Sequence, residues 1–147
     1  MPMGTWGRER KSELLAQMPL FSTCNQRELT QVAQLTVPAE FAAGSILTRQ
    51  GQSGGLAFVI ASGRAEVVRG SRRLAQLGPG DVVGELSLID GEPRSATVRA
   101  LTDMEVLEIS ADDLRRLLRK APSVTRKLLE ALSERLREAD RLPTAGL

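Results

Sequence analysis

Eight short β-prone runs between residues 37 and 110, separated by glycines and flanked by helical patterns, predict a mainly β fold with helices at both ends. Strands this short, with a turn signal at nearly every junction, favour two packed antiparallel sheets. Eight of them fit a jelly roll, or double-stranded β-helix. The chain has 147 residues, 41% apolar and 26% charged, which is material for one domain spanning 1–147.

The first part, residues 1–35, reads as helical. Ser12 is placed to cap a short helix through Ala16, and Met18-Pro19-Leu20-Phe21 breaks it while supplying an apolar anchor. Asn25 with Glu28 three residues on forms a capping box. The helix it starts runs to about Leu35, with Leu29, Val32 and Ala33 inward. The strand region, 37–110, holds Glu40–Ala42, Ser45–Arg49, Ala57–Ala61, Arg64–Arg69, Arg72–Leu77, Asp81–Val83, Ser95–Ala100 and Met104–Ile109. The glycines between them, from Gly44 to Gly80, are read as turn residues with positive φ rather than as ligand contacts.

Two helices occupy 111–141. Ser110 caps the first, with Asp112 and Asp113 at the end that favours acids, and Ala121-Pro122 ends it. Ser123 is placed to cap a longer helix to about Arg141. In it Val124, Leu128, Leu132 and Leu136 recur every four residues with Leu129 beside them, an amphipathic stripe. Arg126, Lys127, Glu130, Glu134 and Arg137 form the opposite, solvated face.

Several function classes drop out. Histidine is absent, which removes His-based acid–base catalysis and His-rich metal sites. Cys24 is the only cysteine, so neither an internal disulfide nor a thiolate cage can form. With no nucleophile–base pair either, a non-enzyme without metal or cofactor is expected. No run approaches 18 apolar residues, and Met1 to Lys11 lacks the apolar centre of a signal peptide, so a cytoplasmic chain is expected. A net charge of +2 gives no nucleic-acid signature. Gly78-Pro79-Gly80-Asp81-Val82-Val83-Gly84 has the wrong spacing for a dinucleotide loop, and no long helix follows it.

Residues 84–97 carry the chemistry. Glu85 and Arg94 flank a short apolar turn, Leu86 to Ile89, which breaks at Asp90-Gly91. A helical turn offers unpaired backbone N–H groups to an anion. Gly84 allows close approach to the backbone, Arg94 can grip two phosphate oxygens, and Ser95 adds a hydroxyl. Glu85 cannot help with a phosphate but can accept from a sugar hydroxyl. An anion grip beside a hydroxyl acceptor points to a ribose phosphate.

The string Gly84-Glu85-Leu86-Ser87-Leu88-Ile89-Asp90-Gly91-Glu92-Pro93-Arg94-Ser95-Ala96-Thr97 resembles the phosphate-binding cassette of the cyclic nucleotide-binding domain family, which includes catabolite activator proteins, kinase regulatory subunits and cyclic-nucleotide-gated channels. The opening helix, the Leu20-Phe21 turn and the glycine spacing of the strand region extend the resemblance. It implies that Glu85 holds the ribose 2′-hydroxyl, and that Arg94 and Ser95 hold the cyclic phosphate. Backbone N–H groups around Gly84, Leu86, Ser87 and Ala96 complete the cradle. It also implies a final helix that closes over the base. No aromatic follows Phe58, so that lid would come from Leu129, Leu132 and Leu136 or from Arg135 stacked on the ring, with Val82, Val83 and the loop around Leu74 as apolar walls. Many family members carry Phe where Val83 stands.

These readings converge on a regulatory sensor with cyclic AMP as the preferred ligand and cyclic GMP as the alternative. Ligand would close the cassette and the last helix, signalling to a protein partner or an attached domain. The competing reading is a helical interaction module, a homodimer through the C-terminal helix, with an empty or accessory pocket. About six residues follow Arg141, so this sequence has no room for a helix-turn-helix there, and direct nucleic-acid binding is not expected.

Overall fold

A computed structural model of the chain describes residues 8–84 and 91–141. Helix α1 (Arg8–Gln17) leads through a 3₁₀ turn (Pro19–Phe21) to α2 (Gln26–Leu35). Eight strands follow: β1 (Val37–Phe41), β2 (Ile46–Thr48), β3 (Leu56–Ser62), β4 (Ala65–Arg69), β5 (Arg72–Leu77), β6 (Val82–Val83), β7 (Thr97–Ala100) and β8 (Met104–Ser110). Helices α3 (Ala111–Lys120) and α4 (Pro122–Arg141) end the described chain. Among the described residues no helix is long and apolar enough to cross a membrane.

The strands pair antiparallel in two four-stranded sheets, β1-β8-β3-β6 and β2-β7-β4-β5. Strands distant in sequence lie side by side, as the predicted jelly roll requires. The first sheet is buried on both faces. Ala57, Val59, Leu107 and Ile109 meet Leu15, Phe21 and Val32 of the helical layer. Phe58, Ile60, Met104 and Val106 on its other face meet Ala65, Val98 and Ala100 of the second sheet. Phe41 and Phe58 pack edge to face there, with ring centroids 5.6 Å apart. The second sheet turns its outer face to solvent, and on it Glu66 accepts from Arg73 (2.9 Å) and from Arg99.

The caps explain most boundaries. Glu28 N–H donates to Asn25 Oδ1 (2.8 Å) and Asn25 N–H to Glu28 Oε1 (3.1 Å), the reciprocal box predicted for α2. Asp113 N–H donates to Ser110 Oγ (3.2 Å) at α3. Two expected starts are corrected. Helix α1 begins at Arg8, ahead of Ser12, because Arg8 to Lys11 are good helix formers and Lys11 Nζ reaches the C-terminal carbonyls of α2, Ala33 and Thr36, both at 2.8 Å. Helix α4 begins at Pro122, which suits a first helical position, so Ser123 lies inside it and bonds elsewhere.

Candidate functional site

A cleft of about 1510 Å³ opens between the inner face of the second sheet and α4. Its floor is a transverse row of directly paired residues, Thr48, Val98, Val67 and Ala75, one from each strand of that sheet. Val82 and Val83 of β6 flank the floor, and α4 contributes Leu128, Leu129, Ser133, Glu134 and Arg137. The wall expected near Leu74 comes instead from Ala75 and Leu77. Pairing with Val67 and Ala65 turns those two inward, while Leu74 is 43% exposed.

Arg94 stands on the cleft wall at the approach to β7, and it is buried (7% exposed). Its guanidinium is gripped by backbone. Nη1 donates to Gly84 O (2.8 Å) and Nη2 to Leu56 O. The main chain is fixed too: Gly51 N–H donates to Arg94 O (2.8 Å) and Arg94 N–H to Gln52 O (3.0 Å). So two main-chain hydrogen bonds tie the arginine's backbone, at the entry to β7, to the loop that precedes β3.

Two glycines make room for it. Gly84 has φ +84°, and a Cβ there would overlap Arg94 Nη1. Gly54 was expected to be a turn glycine, yet its φ is not positive; a Cβ there would overlap the Arg94 side chain from Nε to Nη2. The requirement at Gly54 is space, not a dihedral. In the sequence the sole signal was the doubled Gly54-Gly55, where one glycine suffices for a turn.

The other predicted residues fall as follows. Ser95 is exposed on the cleft and its carbonyl accepts from Arg69 Nε (3.1 Å). Ala96 is half-buried beside it. Val83 is buried on the wall and pairs with Phe58. Leu132 is half-buried on α4, but its neighbours Leu129 and Ser133 line the cleft and it does not. Glu85, Leu86 and Ser87 lie outside the described residues, as does the side chain of Arg135. Among the described residues no group of three acids, cysteines or histidines could hold a metal ion.

A carboxylate that capping alone does not use fully sets the start of α4. Glu28 is 7% exposed and, besides Asn25, accepts from Ser123 Oγ (2.9 Å) and Ser123 N–H (3.2 Å). Asn25 N–H above all, with Ser123, holds the Glu28 carboxyl below its ordinary range despite burial. The nearby Cys24 thiol is pushed up to about 11 by burial and by the Glu28 charge, which makes it inert near neutrality. The capping box marked Glu28 in the sequence; its second bond, 95 residues away, had no local signal.

Chemically, the cleft offers an apolar floor, a buried cation at one end and a mixed-charge helix over the top. That suits an anion joined to a flat, partly apolar group. A family model described as the cyclic nucleotide-binding domain matches residues 38–121. The chain is similar to a cyclic nucleotide-gated potassium channel of Rhizobium etli, 32% identical over 86% of this chain and 35% of the channel. It is similar in structure to the catabolite activator protein of Thermus thermophilus, with a TM-score of 0.76 and 35% identity over 83% of this chain and 60% of that one. It is also similar to the regulatory domain of Toxoplasma gondii protein kinase A with cAMP, with a TM-score of 0.66 and 26% identity over 75% of this chain and 44% of that one. Against the curated relatives it matches, the chain spans 35% of the Rhizobium channel and 47% of the Thermus cyclic AMP receptor protein.

Proposed function

This chain belongs to the cyclic nucleotide-binding domain family, and we propose that within it the chain is a non-catalytic sensor of cyclic AMP. The observation that carries the reading is Arg94: a buried guanidinium on the wall of a cleft with a largely apolar floor, steadied by the carbonyls of Gly84 and Leu56. A cation so placed supplies the counter-charge a cyclic phosphate needs. Ser95 adds a hydroxyl, and the backbone N–H groups of Gly84, Leu86, Ser87 and Ala96 complete the phosphate cradle. Glu85 accepts from the ribose hydroxyl. The base lies along Val83 and the valine floor, with α4 above it and Arg135 as its lid.

Signalling follows from differential affinity. Ligand shifts α4 toward a closed arrangement only to the extent that it binds that arrangement more tightly. The output passes to a protein partner or an attached domain in the cytoplasm, in keeping with relatives much longer than this chain. Cyclic GMP is the alternative ligand.

The test is calorimetry with both nucleotides on wild type and Arg94→Ala. Two charge-assisted bonds are worth about 1.5–3 kcal/mol each, so Arg94→Ala should weaken binding by about a hundredfold or more. A wild type that takes up neither nucleotide at high micromolar concentration sinks the reading. One observation favours a second reading, a helical interaction module: Leu129 and Leu136 on α4 are 60% and 65% exposed. Concentration-dependent size in chromatography, unchanged by nucleotide, would support it.

A further inference from the structure

The cleft floor holds one polar side chain that no hydrogen bond explains. Thr48 is 8% exposed and lines the cleft, and its hydroxyl meets no partner among the described residues. A β-bulge puts it there. Ile46 lies opposite Arg99, but Thr48 lies opposite Val98, so two steps along β2 match one step along β7. Arg99 faces outward, bonded to Glu66, and Val98 faces inward. Without the bulge, Thr48 would share the outward side. With it, Leu47 and Thr48 both turn inward, Leu47 against the core between the sheets and Thr48 to the end of the floor row.

In that row the other three members are Val98, Val67 and Ala75. Valine has nearly the shape of threonine, so packing alone is met without a hydroxyl. The hydroxyl is open to the cleft, so a ligand that lies on the floor covers it and must replace the hydrogen bond it makes to water. The position selects which part of a ligand. Val98 is two residues along β7 from Ala96, roughly 7 Å beyond the phosphate end, and Thr48 sits one strand to its side, roughly 5 Å. A phosphate at Arg94 and Ser95 does not extend there; the purine of a cyclic nucleotide does.

We infer that Thr48 is a specificity-determining residue whose hydroxyl hydrogen-bonds a polar atom on the purine edge. This rests on the cyclic-nucleotide reading above. Adenine and guanine present different donors and acceptors, so the hydroxyl weighs them differently.

The experiment is calorimetry of the full chain with cyclic AMP and cyclic GMP for wild type, Thr48→Val and Thr48→Ser, with thermal midpoints recorded alongside. Thr48→Val should weaken cyclic AMP about three- to tenfold and shift the ratio of the two affinities, with a thermal midpoint no lower than wild type. Thr48→Ser should stay within about twofold of wild type, since it keeps the hydroxyl. Wild-type affinities for both nucleotides in Thr48→Val overturn the assignment. So does an equal loss for both alongside a lowered midpoint, which marks a structural role. A wild type that binds neither nucleotide overturns the sensor reading and this inference together, whereas a binding wild type with an indifferent Thr48→Val overturns this inference alone.

Discussion

The two sheets are built from similar short strands and do different work. The first is covered on both faces, and β3 shows it in sequence: Ala57, Phe58, Val59 and Ile60 are buried in succession, alternating between the helices and the second sheet. The second alternates, with Ala65, Val67, Val98 and Ala100 inward and Glu66 and Arg99 outward. A strand buried on both faces reads as a continuous apolar run, and one buried on a single face reads as alternation. The candidate site sits on the alternating sheet, because only there does part of the inner face remain uncovered by a partner layer. The lesson is a division between a layer that holds the fold and a layer that can give up packing to a ligand.

The largest expected effect probes the covered sheet. Leu107 is fully buried against the helical layer, so Leu107→Ala should cost about 3–4 kcal/mol in urea unfolding. A cost near that of a surface change would erase the contrast between the sheets. The next effect concerns the tie that holds α4. Glu28→Gln places amide hydrogens against donors from Asn25 and Ser123, and should cost about 2 kcal/mol at neutral pH. The sign with pH follows from the lowered carboxyl. Its stabilisation is complete above the ordinary carboxylate value of about 4.3 and is lost as pH falls through the depressed folded value, so the wild-type and Glu28→Gln thermal midpoints should converge below about pH 4.

The smallest stability effect belongs to the cleft. Gly54→Ala forces a methyl into the berth of Arg94 and should cost about 1 kcal/mol while weakening nucleotide binding clearly, read by denaturation and calorimetry side by side. Unchanged affinity would show that the arginine has a second seat and that the loop does not position it.

Legibility tracked the range of the cause. The eight strands, the Asn25–Glu28 box and the Ser110 cap were all readable, since each depends on a few neighbouring residues. The strand ends moved by a few residues because pairing partners, not propensity, decide where a ladder stops. The cassette pointed to Arg94 as a candidate anion grip, but its seat was not readable. The seat is made by Gly54 and by the carbonyl of Leu56, the first residue of β3, 38 residues earlier in the chain than Arg94. Thr48 read as an ordinary strand residue, and a bulge seen only in the paired register turned it inward.

Helix α4 shows the same split within one element. Its stripe was plain in the sequence, and Val124 and Leu128 are indeed buried; Leu129 borders the open cleft and Leu136 joins neither core cluster among the described residues, so both stay exposed. By itself the sequence determined the kind and order of the elements and pointed to candidate residues for a ribose phosphate. Backbone dihedrals, caps and alternation act within a turn or a strand, so they can be read locally. Only the tertiary structure decided the covered and open sheets, the seat of Arg94, the Glu28–Ser123 tie and the floor with Thr48. Each of these depends on register and layer packing between distant segments, which no short window of sequence contains.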